Sequence, residues 1–264
     1  MNRLVYPFRQ LLLVPAFATW LVSCTPTQFV RLQPVSGPVA TVDGRLVTKA
    51  SVDSVEVVAS FEREDMEYLA LDIEVKNRTQ SPIDVNPADF QIDLLSADRQ
   101  PLRLGDQVSI RQAADPNYEL GRTDVKIRKE QRRLKTAKIL NTVAMVAVVA
   151  SDIASSSSRS TNRDFRSWAS NRASHDAVYS LIQAKRVIDH GVFADRMQRF
   201  QFEEYRWREL ALKRSVVQPG ESVRGFVYLP KVKEATYLNV SYPVTSGTSV
   251  QLLFEQSLTN ARPK

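Results

Sequence analysis

Sulfur, glycine and histidine are scarce in this chain, and each scarcity removes a class of protein. One cysteine among 264 residues excludes a disulfide framework. Eight glycines exclude collagen-like and glycine-repeat architectures. The two histidines, His175 and His190, lack the close Cys/His spacing of a zinc site and are expected at surface positions of helices. No Gly-x-Ser-x-Gly elbow, phosphate-binding glycine loop or His-Glu-x-x-His is present. Glu203 and Glu204 are adjacent, so on a helix they point apart and form no catalytic pair. No catalytic residue, cofactor or metal site is therefore expected, and the chain reads as non-enzymatic. No apolar run approaches the roughly 20 residues that a membrane-spanning helix needs.

What is present has an ordinary globular balance. Hydrophobic residues make up 43% and charged residues 25%, which excludes wholesale disorder and supports one or two domains. The amino terminus departs from that balance. Arg3 and Arg9 precede an apolar run from Leu11 to Val22, broken by Pro15, Thr19 and Trp20. A basic start, a short apolar stretch and small residues before a cut site describe a secretory signal.

That run ends in Leu21-Val22-Ser23-Cys24, which resembles the lipobox of bacterial prolipoproteins. The resemblance implies that residues 1–23 are removed and that Cys24, the sole thiol, carries acyl chains into a lipid bilayer. In enterobacterial-type lipoproteins an Asp after the cysteine retains the protein at the inner membrane. Thr25 stands there instead, which favours the outer membrane of the cell envelope. Losing Arg3 and Arg9 lowers the formal net charge from +7 to +5.

Residues 24–50, rich in Pro, Thr, Val and Gly, read as a tether. From 51 to 105 the pattern has period two: Val55, Val57, Ala59 and Phe61, then Leu69, Leu71, Ile73 and Val75, then Phe90, Ile92 and Leu94. The same alternation returns over 215–264, with Val223, Gly225, Val227 and Leu229, then Leu238, Val240 and Tyr242, then Val250, Leu252 and Phe254. Seven or eight short strands with turn residues between them predict a mainly β fold, an immunoglobulin-like sandwich. Two phrases also resemble those of bacterial Ig-like envelope lipoproteins. One is Val75-x-Asn77-x-Thr79 leading to Pro82-Ile83 and Pro87-x-x-Phe90, and the other is Pro219-Gly220-Glu221-Ser222-Val223. They speak for the fold and not for an activity.

Residues 106–214 interrupt the strands with a large, mainly helical insertion. Helices are expected over 126–138, 139–150, 176–190 (ending at Gly191) and 193–210, with a serine-rich linker over 155–162. The charge sits here: this segment carries +8, against −5 for 24–105 and +2 for 215–264. Its densest part offers Lys126, Arg128, Lys129, Arg132, Arg133, Lys135 and Lys138 as contacts for a protein partner or for anionic head groups. The apolar run 139–150 then reads as the insertion's buried helix or as a membrane contact. Phe200, Phe202, Tyr205 and Trp207 read as the insertion's own core or as the lining of a ligand pocket. Export argues against nucleic acid as a partner. The expected function is that of a membrane-anchored envelope lipoprotein. It would act as a structural or protein-interaction module through the basic insertion. A small-ligand carrier and an envelope enzyme are the alternatives.

Overall fold

Alternating apolar residues build the body of the protein. The computed structural model describes residues 28–103, 109–156, 165–245 and 247–260, the side chains of 151–176 excepted. Cys24 and the whole of the expected signal lie outside the described residues. Twelve strands and two long helices are described: β1 (Phe29–Pro34), β2 (Val39–Val42), β3 (Arg45–Val52), β4 (Val55–Asp65), β5 (Tyr68–Asn77), β6 (Ile83–Val85), β7 (Gln91–Leu95), β8 (Ile110–Gln112), α1 (Pro116–Ser156), α2 (Phe165–Tyr205), β9 (Ser215–Val217), β10 (Ser222–Pro230), β11 (Tyr237–Thr245) and β12 (Thr248–Thr259).

One five-stranded sheet has the order β1-β12-β11-β7-β8 and the other β10-β5-β4-β3-β2, while β6 and β9 form a small ribbon. All strand pairs within them are antiparallel. The alternating residues of both sheets meet in one apolar core: Leu71, Ile73 and Val75 from one side, Ile92, Leu94, Leu252 and Phe254 from the other. Burial of these side chains is the main stabilising term.

The tether expected over 24–50 is corrected from residue 29 onward. β1 pairs with β12 along its whole length and buries Val30 and Leu32 in the core. β2 and β3 form a hairpin turning at Asp43-Gly44, both at positive φ, as a two-residue β-turn requires. β2 hid from the alternation because all four of its residues are exposed. The number of strands is correspondingly twelve rather than seven or eight.

Asn77 joins the two phrases noted in the sequence. It is fully buried, and its Nδ2 donates to the carbonyls of Ser81 (2.8 Å) and Val217 (2.9 Å). Its Oδ1 accepts from the Thr79 amide (2.9 Å) and hydroxyl (2.7 Å). Its own carbonyl accepts from Gly220 N–H at 2.7 Å, so the turn Pro219-Gly220 closes onto β5. Asn77→Ala removes the buried donor to the Val217 carbonyl and the acceptor of the Thr79 amide, while the exposed Ser81 carbonyl keeps the Thr79 hydroxyl at 2.7 Å. We expect a loss of about 2–3 kcal/mol, read as a lower midpoint in urea with an unchanged slope. A loss under about 0.5 kcal/mol would contradict this accounting.

The insertion is narrower and simpler than expected. β8 belongs to the first sheet, so the departure from the strands begins at Pro116. Instead of several helices there are two, each of 41 residues, packed side by side as a hairpin. Asp115 starts α1, its Oδ1 accepting from the amides of Asn117 and Tyr118, and Pro116 fits the first turn, where no amide is required. Gly191 does not end α2; the helix runs through it because α1 supports the chain on both sides of it. Of the serine-rich linker expected over 155–162, residues 155 and 156 end α1 and the rest lie outside the described residues.

Candidate interaction surface on the helical hairpin

The hairpin is held at its root by a closed aromatic cluster. After α2 the chain makes a wide turn over Arg206–Leu210, which buries Arg206 and Trp207. Trp207, 2% exposed, packs on the outer face of the second sheet against Tyr68, Ala70 and Tyr228. Its ring meets Tyr228 at 4.9 Å and Tyr68 at 5.4 Å, both edge to face. Burial pushes the phenols of Tyr68 and Tyr228 up to about 12. Beside them Arg206 Nη2 donates to Asp65 Oδ1 at 2.6 Å, with side chains only 2% and 6% exposed. This root was missed in the sequence. Its signal was the run Tyr68-Leu69-Ala70-Leu71, apolar on both faces of a strand, which requires cover on both sides.

The four aromatics expected together are dispersed. Trp207 belongs to the root rather than to a core of the insertion, Phe200 is partly buried, and Phe202 and Tyr205 are exposed.

Beyond the root, the helices meet along a thin seam in which apolar and polar residues are mixed. Ile127, Glu130, Leu134, Ala137, Asn141, Ala144 and Val148 of α1 are partly buried and recur every three or four residues. Ile182, Asp189, Phe193, Arg196, Phe200 and Glu203 answer from α2. Polar links fix the levels: Lys126 Nζ to Glu203 at 2.8 Å, Arg196 to Glu130 at 2.9 Å, and Asn141 to Asp189 at 3.4 Å.

The candidate cations therefore divide by position. Lys126 is consumed in the seam, and Arg133 lines a depression between the helices with Ile188, Asp189 and Val192. Arg128, Lys129, Arg132, Lys135 and Lys138 are exposed and make no ion pair among the described residues. The run 139–150 is not the buried helix that was one of its two expectations. Ile139, Leu140, Val143, Val146 and Val149 are 49–64% exposed, because a two-helix hairpin buries only one stripe of each helix. His190 is exposed, and the His175 side chain lies outside the described ones. Among the described residues no group of three or more His, Cys, Asp and Glu side chains converges as metal ligands, and no helix is long and apolar enough to cross a membrane.

The start of the folded chain lies beside the root. The Val30 amide donates to Glu64 Oε2 at 2.5 Å, and Lys231 Nζ donates to Glu64 Oε1 at 2.6 Å. Glu64 precedes the Asp65 that holds Arg206, so β1 begins at the end of the body from which the hairpin leaves. Comparison with protein-family models, curated proteins and solved structures returned no match to this chain.

Proposed function

We propose that this protein is a lipid-anchored, non-enzymatic lipoprotein of the bacterial envelope, held at the outer membrane by acyl chains on Cys24. In this reading an immunoglobulin-like sandwich is the scaffold, and the helical hairpin is the contact surface for an envelope protein partner. The observation that carries it is the hairpin itself. A pair of 41-residue helices, locked at the root, presents five exposed cations without ion-pair partners among the described residues, next to an exposed apolar run. An isolated domain gains nothing from such a surface; a partner with carboxylates at matching spacing does. The six residues from Cys24 to Val30 reach at most about 20 Å when extended. Anchoring would thus bring the hairpin-bearing end of the body close to the bilayer.

Two substitutions separate the two halves of the proposal. Cys24→Ala should move the protein from the membrane to the soluble fraction; continued membrane association would overturn lipid anchoring. Deleting 131–197 with a short turn inserted keeps the root and the Lys126–Glu203 pair. It should abolish crosslinking to envelope partners while leaving the unfolding of the body unchanged. Unchanged crosslinking would move the contact surface off the hairpin.

A further inference from the structure

The outer half of the hairpin is apolar on more sides than a free-standing pair of helices tolerates. Besides the five residues of α1, α2 exposes Val178, Tyr179, Leu181, Val187, Ile188 and Val192, all 42–72% accessible. These eleven residues together present roughly 1,000 Å² of apolar surface over more than one face of the hairpin, and Ile139, Val143, Val146 and Val187 among them lie on the faces turned away from the seam. Hydrocarbon is a poor cover for it. Asn141 is linked to Asp189, so Lys185, Arg186 and Asp189 of α2 sit at the same level, with Lys185 and Asp189 paired at 2.5 Å. Immersing that pair in lipid carries a desolvation cost that a protein interface avoids by leaving it at the rim.

The faces turned away from the seam match one another. On α1, Arg128, Arg132, Lys135, Ile139, Val143 and Val146 recur at intervals of four and three, forming one stripe, all exposed. On α2, Ala184, Val187, Gly191, Asp195 and Gln198 do the same and are also exposed. In the level relation set by Asn141 and Asp189, Lys135 stands level with Asp195, Ile139 with Gly191, Val143 with Val187, and Val146 with Ala184. Ile139 and Val146 thus stand level with the small Gly191 and Ala184, Val143 with a second valine, and Lys135 with Asp195, a carboxylate that also holds Arg199 of its own helix at 3.0 Å. Gly191 has no heavy atom within 4 Å of where its Cβ would be, leaving a notch in that face. Pairing α1 with its own copy would instead stack Arg128, Arg132 and Lys135 against like charges if parallel, and against the apolar residues of the same stripe if antiparallel.

We propose that the hairpins of several copies associate side by side, all pointing the same way, with the outer stripe of α1 on one copy against the outer stripe of α2 on the next. The contact joins two different surfaces, so a dimer leaves one of each uncovered and addition continues until a ring closes. The inference is independent of the lipid anchor, and its test reads mass rather than location.

The full chain, purified in a mild detergent, should show by light scattering a protein mass of three or more copies. Val143→Lys and Val187→Asp should each reduce it to one copy with unchanged circular dichroism, because each puts a lone charge into the apolar belt. The double variant places Lys against Asp across the contact and should restore the larger mass. A wild-type mass of one or two copies would overturn the ring. So would an assembly that survives either single substitution, or a double variant that stays monomeric. Assembly seen only on anionic vesicles would replace the second copy with a lipid surface.

Discussion

Asp65→Ala will cost about 3–5 kcal/mol of unfolding free energy, a large share of the 5–15 kcal/mol typical of a folded domain. Among the described residues the carboxylate is the only counter-ion hydrogen-bonded to the buried Arg206 guanidinium, at 2.6 Å. Without it the cation is left among the rings of Tyr68, Phe202, Trp207 and Tyr228, each 5.4–5.9 Å from the guanidinium carbon. Those ring faces offset part of the loss, but a cation–π contact recovers only about 2 kcal/mol when desolvated. Arg206→Met should be milder, since Asp65 keeps Arg63 at 3.7 Å and the methionine fills much of the volume. The double variant Asp65→Leu with Arg206→Met should regain most of the stability, because no buried charge is left unpaired. Urea unfolding of the four proteins checks the order. Near-equal costs for all three variants would mean that packing, and not charge, holds the root. The result bears on the function proposed above, since a hairpin that swings on a loosened root cannot present its cations in a fixed direction.

The body of the fold was written in the alternation of its strands, and the hairpin was only half written. Leu69, Leu71, Ile73 and Val75 are all fully buried where the period of two placed them. β2 escaped notice because an exposed edge strand has no apolar face to announce, and β3 because its inward positions include the polar Thr48 and the small Ala50, although Asp43-Gly44 between Val42 and Arg45 was a usable hairpin signal. The cations were located on one helix, but their roles depend on what faces them. Lys126 finds Glu203, 77 residues away, whereas Arg132 and Lys135 find nothing among the described residues. The run 139–150 looked like a core because its composition is that of a core. Composition does not report that only one other helix is there to cover it. The root was the least legible part: Asp65 and Arg206 are 141 positions apart, and neither is unusual in its local sequence.

The second large effect is expected at Gly225, where the chain returning from the hairpin rejoins the sheet. An alanine Cβ at 225 would lie 2.6 Å from the Leu212 Cα and 2.8 Å from its nitrogen. Leu212 runs alongside β10, donating its N–H to the Phe226 carbonyl at 2.9 Å, and its side chain is fully buried in the core between the sheets. Gly225 thus leaves open the space through which a neighbouring segment passes its backbone, which is why a strand interior tolerates a residue that otherwise weakens it. Gly225→Ala should cost about 3 kcal/mol or more, since a backbone atom cannot rotate away as a side chain can. Trimming the neighbour distinguishes this from ordinary crowding. Leu212→Ala alone should cost about 2–5 kcal/mol through the cavity it leaves. Combined with Gly225→Ala it should bring no relief, because the clash is with Cα and nitrogen, which alanine retains. A double variant more stable than Gly225→Ala alone would show that the leucine side chain, not the backbone, was the obstacle. Confirmation would place a close backbone approach five residues beyond Trp207, so that the return of the hairpin to the sheet is fixed from both sides: by the aromatic cluster on the outer face and by Leu212 within the core.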